Sequence, residues 1–133
     1  MARRILIVDD EQDILDLLKY NLEAEGYETM LASDGLQALD RAKNNPDLII
    51  LDVMLPGKDG WEVMRQLRQN PGTQRIPVIF LTAKGSEIDE VVGLELGADD
   101  YISKPISMRK LLARVKLGLR KARSVEQHQE EIL

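Results

Sequence analysis

A chain of 133 residues, 44% hydrophobic and 31% charged, fits one folded domain and is too apolar for a disordered segment. A formal net charge of −5 argues against direct nucleic-acid binding, and the absence of cysteine excludes disulfide scaffolds, thiolate metal sites and cysteine nucleophiles. The single histidine, His128, argues against a histidine metal centre or a catalytic triad, and no apolar run reaches the roughly 18–20 residues of a membrane span or forms a signal peptide, so a cytoplasmic protein with no membrane partner is expected.

In chain order, Ile5 to Val8 is a short β-branched run of the kind buried on both faces of a parallel strand, and it ends at Asp9-Asp10. Ile14, Leu15, Leu17, Leu18 and Leu22 then recur at helical spacing until Gly26 stops the helix. A more polar strand over Glu28–Ala32 reads as a sheet edge, and after a turn at Ser33-Asp34-Gly35 the residues Leu36, Ala38, Leu39 and Ala42 mark a second helix. Pro46 precedes Leu48-Ile49-Ile50-Leu51, the most apolar run and the best central strand, which ends at Asp52. The loop Leu55 to Gly60 leads into a helix with Trp61, Val63, Met64 and Leu67. Pro77 to Leu81 forms a fourth strand ending at Thr82, followed by a helix with Ile88, Val91, Val92 and Leu94 that stops at Gly97. Tyr101-Ile102 is a short fifth strand ending at Lys104-Pro105, an X–Pro bond at which the cis form is cheap. A last helix starts near Ser107 with the stripe Leu111, Leu112, Val115 and Leu119. That stripe lapses after Arg123, so residues 1–122 read as the domain and 123–133 as a fraying helix end or the start of a linker.

Five β-then-α units predict an α/β, doubly wound (βα)5 sandwich of flavodoxin-like type, with a five-stranded parallel sheet in the order 2-1-3-4-5. The carboxyl ends of the four neighbouring strands would then bring together Asp9, Asp10, Asp52, Thr82 and Lys104. Three adjacent carboxylates repel one another, and a hard, oxygen-liganded cation such as Mg²⁺ resolves the repulsion. Lys104 adds a second positive charge and Thr82 a hydrogen bond, an ensemble suited to phosphoryl transfer with Asp52 as nucleophile. Taken singly, Asp9-Asp10 also reads as a helix cap, Asp52 as a turn residue, and Thr82 and Lys104 as uninformative.

The segments ILIVDDE, LIILDVMLPGKDG, VIFLTAKG and GADDYISKP, in this order, resemble the signature segments of two-component response-regulator receiver domains over about residues 3 to 122. The similarity is nearest to receivers of the winged-helix transcription-factor subfamily, which includes the phosphate-regulon regulator. The resemblance implies that Asp52 accepts a phosphoryl group from a partner histidine kinase or a small phosphodonor. It implies direct Mg²⁺ ligation by Asp10, Asp52 and the backbone carbonyl of Met54, ligation by Asp9 through water, and a switch pair formed by Thr82 and Tyr101.

Residues 86–100 carry a local charge of −6 and residues 101–123 one of +8. Two copies related by a two-fold axis could pair these halves reciprocally, while ordinary solvated surface with pairs inside one chain accounts for the same pattern. The resembled subfamily dimerises through this face on phosphorylation. Asp99, Asp100 and Arg114 fit its pattern, while Glu90 and Lys110 reverse the usual signs. The rival functions are a Mg²⁺-dependent phosphohydrolase with an aspartate nucleophile and a pseudo-receiver that binds without being phosphorylated. The first normally needs a second Asp where Met54 stands, and the second usually lacks part of the acidic set.

Overall fold

Alternation along the five strands sorts their apolar side chains onto two faces, and each face is covered by helices. The computed structural model describes residues 2–56, 59–83 and 85–132, and the side chains of Ile88 and of residues 122–132, His128 among them, lie outside the described set. The elements are β1 (Arg4–Val8), α1 (Gln12–Ala24), β2 (Glu28–Ala32), α2 (Gly35–Ala42), β3 (Leu48–Asp52), α3 (Gly60–Gln69), β4 (Val78–Thr82), α4 (Glu87–Glu95), β5 (Asp100–Ser103) and α5 (Met108–Ile132). All pairings are parallel and the sheet runs β2-β1-β3-β4-β5, the expected order.

Ile5, Ile7, Leu48, Ile50, Ile79 and Leu81 point to one side, where Leu15, Leu18 and Leu22 of α1 and Leu111, Val115 and Leu119 of α5 close a first core. The intervening residues Leu6, Val8, Ile49, Leu51, Val78 and Phe80 point to the other, against Ala38 and Ala42 of α2 and Val63, Met64 and Leu67 of α3. A strand buried on both faces has no polar alternation, and this is why β3 and β4 read as continuous apolar runs.

Several helix positions depart from the expected stripes. Leu17 and Leu36 are largely exposed, because the buried rows are Leu15, Leu18, Leu22 and Gly35, Ala38, Ala42, spaced at three and four residues. Val91 and Leu94 of α4 are also exposed, at 55% and 51%. α4 meets the body at Gly93 instead: a Cβ there would sit 2.9 Å from the Phe80 ring, which itself packs on Trp61 with centroids 5.0 Å apart. β4 starts at Val78 because Pro77 has no N–H to donate, although its carbonyl accepts from Ile49 at 2.9 Å. The backbone of α5 stays helical to Ile132, past the last apolar residue of its stripe.

Candidate functional site

Each polar group of the site stands where an apolar strand gives out. Burial of Leu48 to Leu51 anchors β3 at the sheet centre and carries Asp52 into a position only 4% exposed. Val8 pairs with Leu51 across the sheet, so Asp9 follows on level with Asp52 and is fully buried. Leu81 pairs with Asp52 and Thr82 with Ser103, bringing the Thr82 hydroxyl and Lys104 to the same edge. Backbone bonds from Asp9 N–H to the Ala32 carbonyl (3.1 Å), Val53 N–H to Leu81 (3.1 Å) and Lys104 N–H to Thr82 (2.8 Å) extend the ladder one residue beyond the strands. The Lys104-Pro105 bond is cis.

Carboxylate oxygens of Asp9, Asp10 and Asp52 all lie within 4.8 Å of one another. Lys104 Nζ sits 3.0 Å from Asp52 Oδ2 and 3.2 Å from Asp9 Oδ2. The other oxygens of the two buried acids are held by backbone: Asp52 Oδ1 accepts from Met54 N–H and Asp9 Oδ1 from Glu11 N–H, each at 2.9 Å. Burial pushes the Asp9 carboxyl up from 3.8 to about 6; the Glu11 amide and Lys104 oppose the rise and the Asp52 charge adds to it. Burial works against the charged form of Lys104, but the Asp52 and Asp9 carboxylates outweigh it and hold the ammonium above its usual range.

Two buried atoms make no hydrogen bond among the described residues, Asp9 Oδ2 and Thr82 Oγ1. Unsatisfied buried oxygens are costly and point to a ligand that completes them. For Asp9 Oδ2, which meets the Lys104 ammonium at 3.2 Å without a well-formed hydrogen bond, a small hard cation fits: the donors are all oxygen and three carboxylates converge. The loop after Asp52 folds back close to its strand, with Gly60 N–H on the Val53 carbonyl at 3.0 Å. A Cβ at Gly60 would lie 2.5 Å from the Asp52 carbonyl oxygen, so this approach requires glycine.

Met54 lies beside the site with its side chain 71% exposed, and Tyr101 is half-buried against the α2–α3 side of the sheet. The residues of the charged face are placed differently. Asp100 takes a two-point contact from Arg114 Nη1, at 2.9 and 3.1 Å, within one chain. Asp99 accepts from Val78 N–H at 2.8 Å and pairs with Arg68 of α3 at 3.3 Å. Lys110 is exposed and Glu90 partly so. Tyr101, Lys110 and Arg114 line one shallow depression.

The cap of α1 is Glu11, not the Asp pair. Two residues escaped the sequence reading. Glu11 brings a third carboxylate to Lys104, with Oε1 3.7 Å from Nζ, and its only signal is its place directly after Asp9-Asp10. Arg68 donates to the carbonyls of Gln74, Ile76 and Gly97, and nothing in a polar helix flank announces that role.

A family model for the response regulator receiver domain matches residues 5–116. Among solved structures, the signal receiver domain of a signal transduction histidine kinase from Syntrophus aciditrophicus is 40% identical, with a TM-score of 0.83 over 90% of this chain and 92% of that one. A response regulator receiver domain protein from Methanospirillum hungatei is 34% identical, with a TM-score of 0.86 over 93% and 98%. The receiver domain of a sensor histidine kinase from Pseudomonas aeruginosa, solved with magnesium coordinated in its active site cleft, is 30% identical, with a TM-score of 0.82 over 90% and 98%.

Proposed function

Given that the chain belongs to the response regulator receiver domain family, we propose that Asp52 is its phosphoacceptor, loaded by a histidine kinase with the help of Mg²⁺. The observation that carries this reading is the pairing of a buried Asp52 with Lys104 at 3.0 Å, beside a Thr82 hydroxyl that makes no hydrogen bond among the described residues. The Asp52 carboxylate attacks phosphorus directly through an oxygen lone pair. The new O–P bond forms as the bond to the donor breaks, and the donor leaves with the electron pair. Lys104 Nζ offsets the negative charge of the transferred oxygens, and Thr82 Oγ1 donates a hydrogen bond to one of them. Asp9, Asp10, Asp52 and the Met54 carbonyl would hold the Mg²⁺, which supplies charge neutralisation at the same oxygens.

On this reading Thr82 and Tyr101 are the switch pair, and the surface of α4, β5 and α5 controls dimerisation or an effector. Kinship with the winged-helix transcription-factor receivers, a part in transcription regulation and a cytoplasmic location belong to the same proposal. The domain acts as a signalling phosphoacceptor and not as a turnover enzyme. A phosphohydrolase reading is disfavoured because the position two residues after Asp52 is Met54, which has no proton to give. Incubation with acetyl phosphate and Mg²⁺ should add one phosphoryl group by intact mass, and the Asp52→Asn variant should stay unmodified. Equal labelling of that variant overturns the assignment.

A further inference from the structure

Glu11 occupies the N-cap position of α1, where a short Ser, Thr, Asp or Asn side chain ordinarily accepts from the free amides of the first turn. Its side chain makes no such bond. Its backbone N–H donates to Asp9 Oδ1 at 2.9 Å, and its carboxylate approaches Lys104 Nζ at 3.7 Å. Lys104 therefore faces three carboxylates, two of them buried and one, Glu11, 61% exposed. The buried pair cannot leave, whereas Glu11 stands on the solvent side, from which any phosphodonor must come. A phosphoryl oxygen seeking Nζ competes with Glu11 for the same ammonium and also meets its negative charge.

Resting on the phosphoacceptor reading above, we infer that Glu11 is a positioning residue: its carboxylate engages Lys104 in the resting site and slows transfer of a phosphoryl group to Asp52. Glu11 acts through Lys104 and forms no bond to phosphorus. When acetyl phosphate is the donor, the Asp52–phosphorus bond forms as the phosphorus–oxygen bond to acetate breaks, and acetate departs with the electron pair. The effect of Glu11 falls on the approach of the donor and on the freedom of Lys104 to meet it.

The test is the rate constant for phosphorylation by acetyl phosphate at saturating Mg²⁺, followed by intact mass, in the wild type and in Glu11→Gln. Removing one unit charge several ångströms from an incoming dianion at the solvent boundary should raise the rate roughly 3- to 10-fold. Mg²⁺ affinity, read by Trp61 fluorescence without any donor, should change by less than about 3-fold, because Glu11 lies outside the three-carboxylate cluster. In a Lys104→Ala background the Glu11→Gln substitution should accelerate the reaction less, because only the repulsion of the donor is then removed and not the hold on Lys104. An unchanged or lower rate in Glu11→Gln, or an equal acceleration without Lys104, overturns the inference. A wild-type protein that takes no phosphoryl group refutes the phosphoacceptor reading itself.

Discussion

Replacing Asp9 by Asn should stabilise the metal-free protein at pH 8 while weakening its hold on Mg²⁺. Asp9 is fully buried, lies beside Asp52, and has a carboxyl raised from 3.8 to about 6, mainly by burial. Between these two values the folded state binds a proton that the unfolded chain releases, so stability from this group is present below pH 4 and lost as the pH rises through 6. The difference corresponds to about 3 kcal/mol at pH 8. Asn is neutral throughout and keeps an acceptor for the Glu11 amide, but Lys104 loses its 3.2 Å partner, which brings the net gain to on the order of 1–3 kcal/mol. Urea unfolding of both proteins in chelator, at pH 8 and pH 4, measures the effect, and the gain should nearly vanish at pH 4. With millimolar Mg²⁺ the wild type should recover the difference, because a ligand that binds only the folded state stabilises it in proportion to its affinity. A variant no more stable than the wild type at pH 8, or a gain undiminished at pH 4, would refute the reasoning.

The same proton competes with the metal, so Mg²⁺ affinity by calorimetry should fall about 10-fold between pH 7.5 and pH 5, and a constant affinity would contradict the raised Asp9 carboxyl. Thr82→Val should leave unfolding in urea within about 1 kcal/mol of the wild type, since the buried hydroxyl makes no hydrogen bond among the described residues, yet the variant should lose any phosphorylation-dependent change in the Tyr101 environment seen by NMR. Gly60→Ala should destabilise by about 1–3 kcal/mol in the same assay, because every atom its Cβ would meet below 3.0 Å is backbone of Asp52 or Val53.

The fold was legible because its signals are local and repeated. Each apolar run marks a strand, each stop at Gly26, Pro46 or Gly97 marks a boundary, and the polar β2 marks an edge. Placing Asp9, Asp10, Asp52, Thr82 and Lys104 together needed only the strand order, because each ends a strand or lies within two residues of its carboxyl end, and burial holds those strands in register. Helix faces were less legible. Leucine and valine at neighbouring positions offer several overlapping stripes, and only packing selects Leu15, Leu18 and Leu22 over Leu17, or Gly93 over Val91 and Leu94.

The sequence by itself thus determined the architecture, the identity of the converging groups and their charges, since these follow from hydrophobic periodicity and from which residues terminate the strands. Only the tertiary structure decided how those groups divide their partners. It places Lys104 against three carboxylates, Asp9 Oδ2 among their oxygens, leaves Thr82 Oγ1 without a hydrogen bond among the described residues, and joins Asp100 to Arg114 and Asp99 to Arg68 inside one chain. The reason is physical: a strand's direction and burial are set by many weak apolar contacts that composition records, whereas a hydrogen bond depends on a few tenths of an ångström set by packing across the whole sheet.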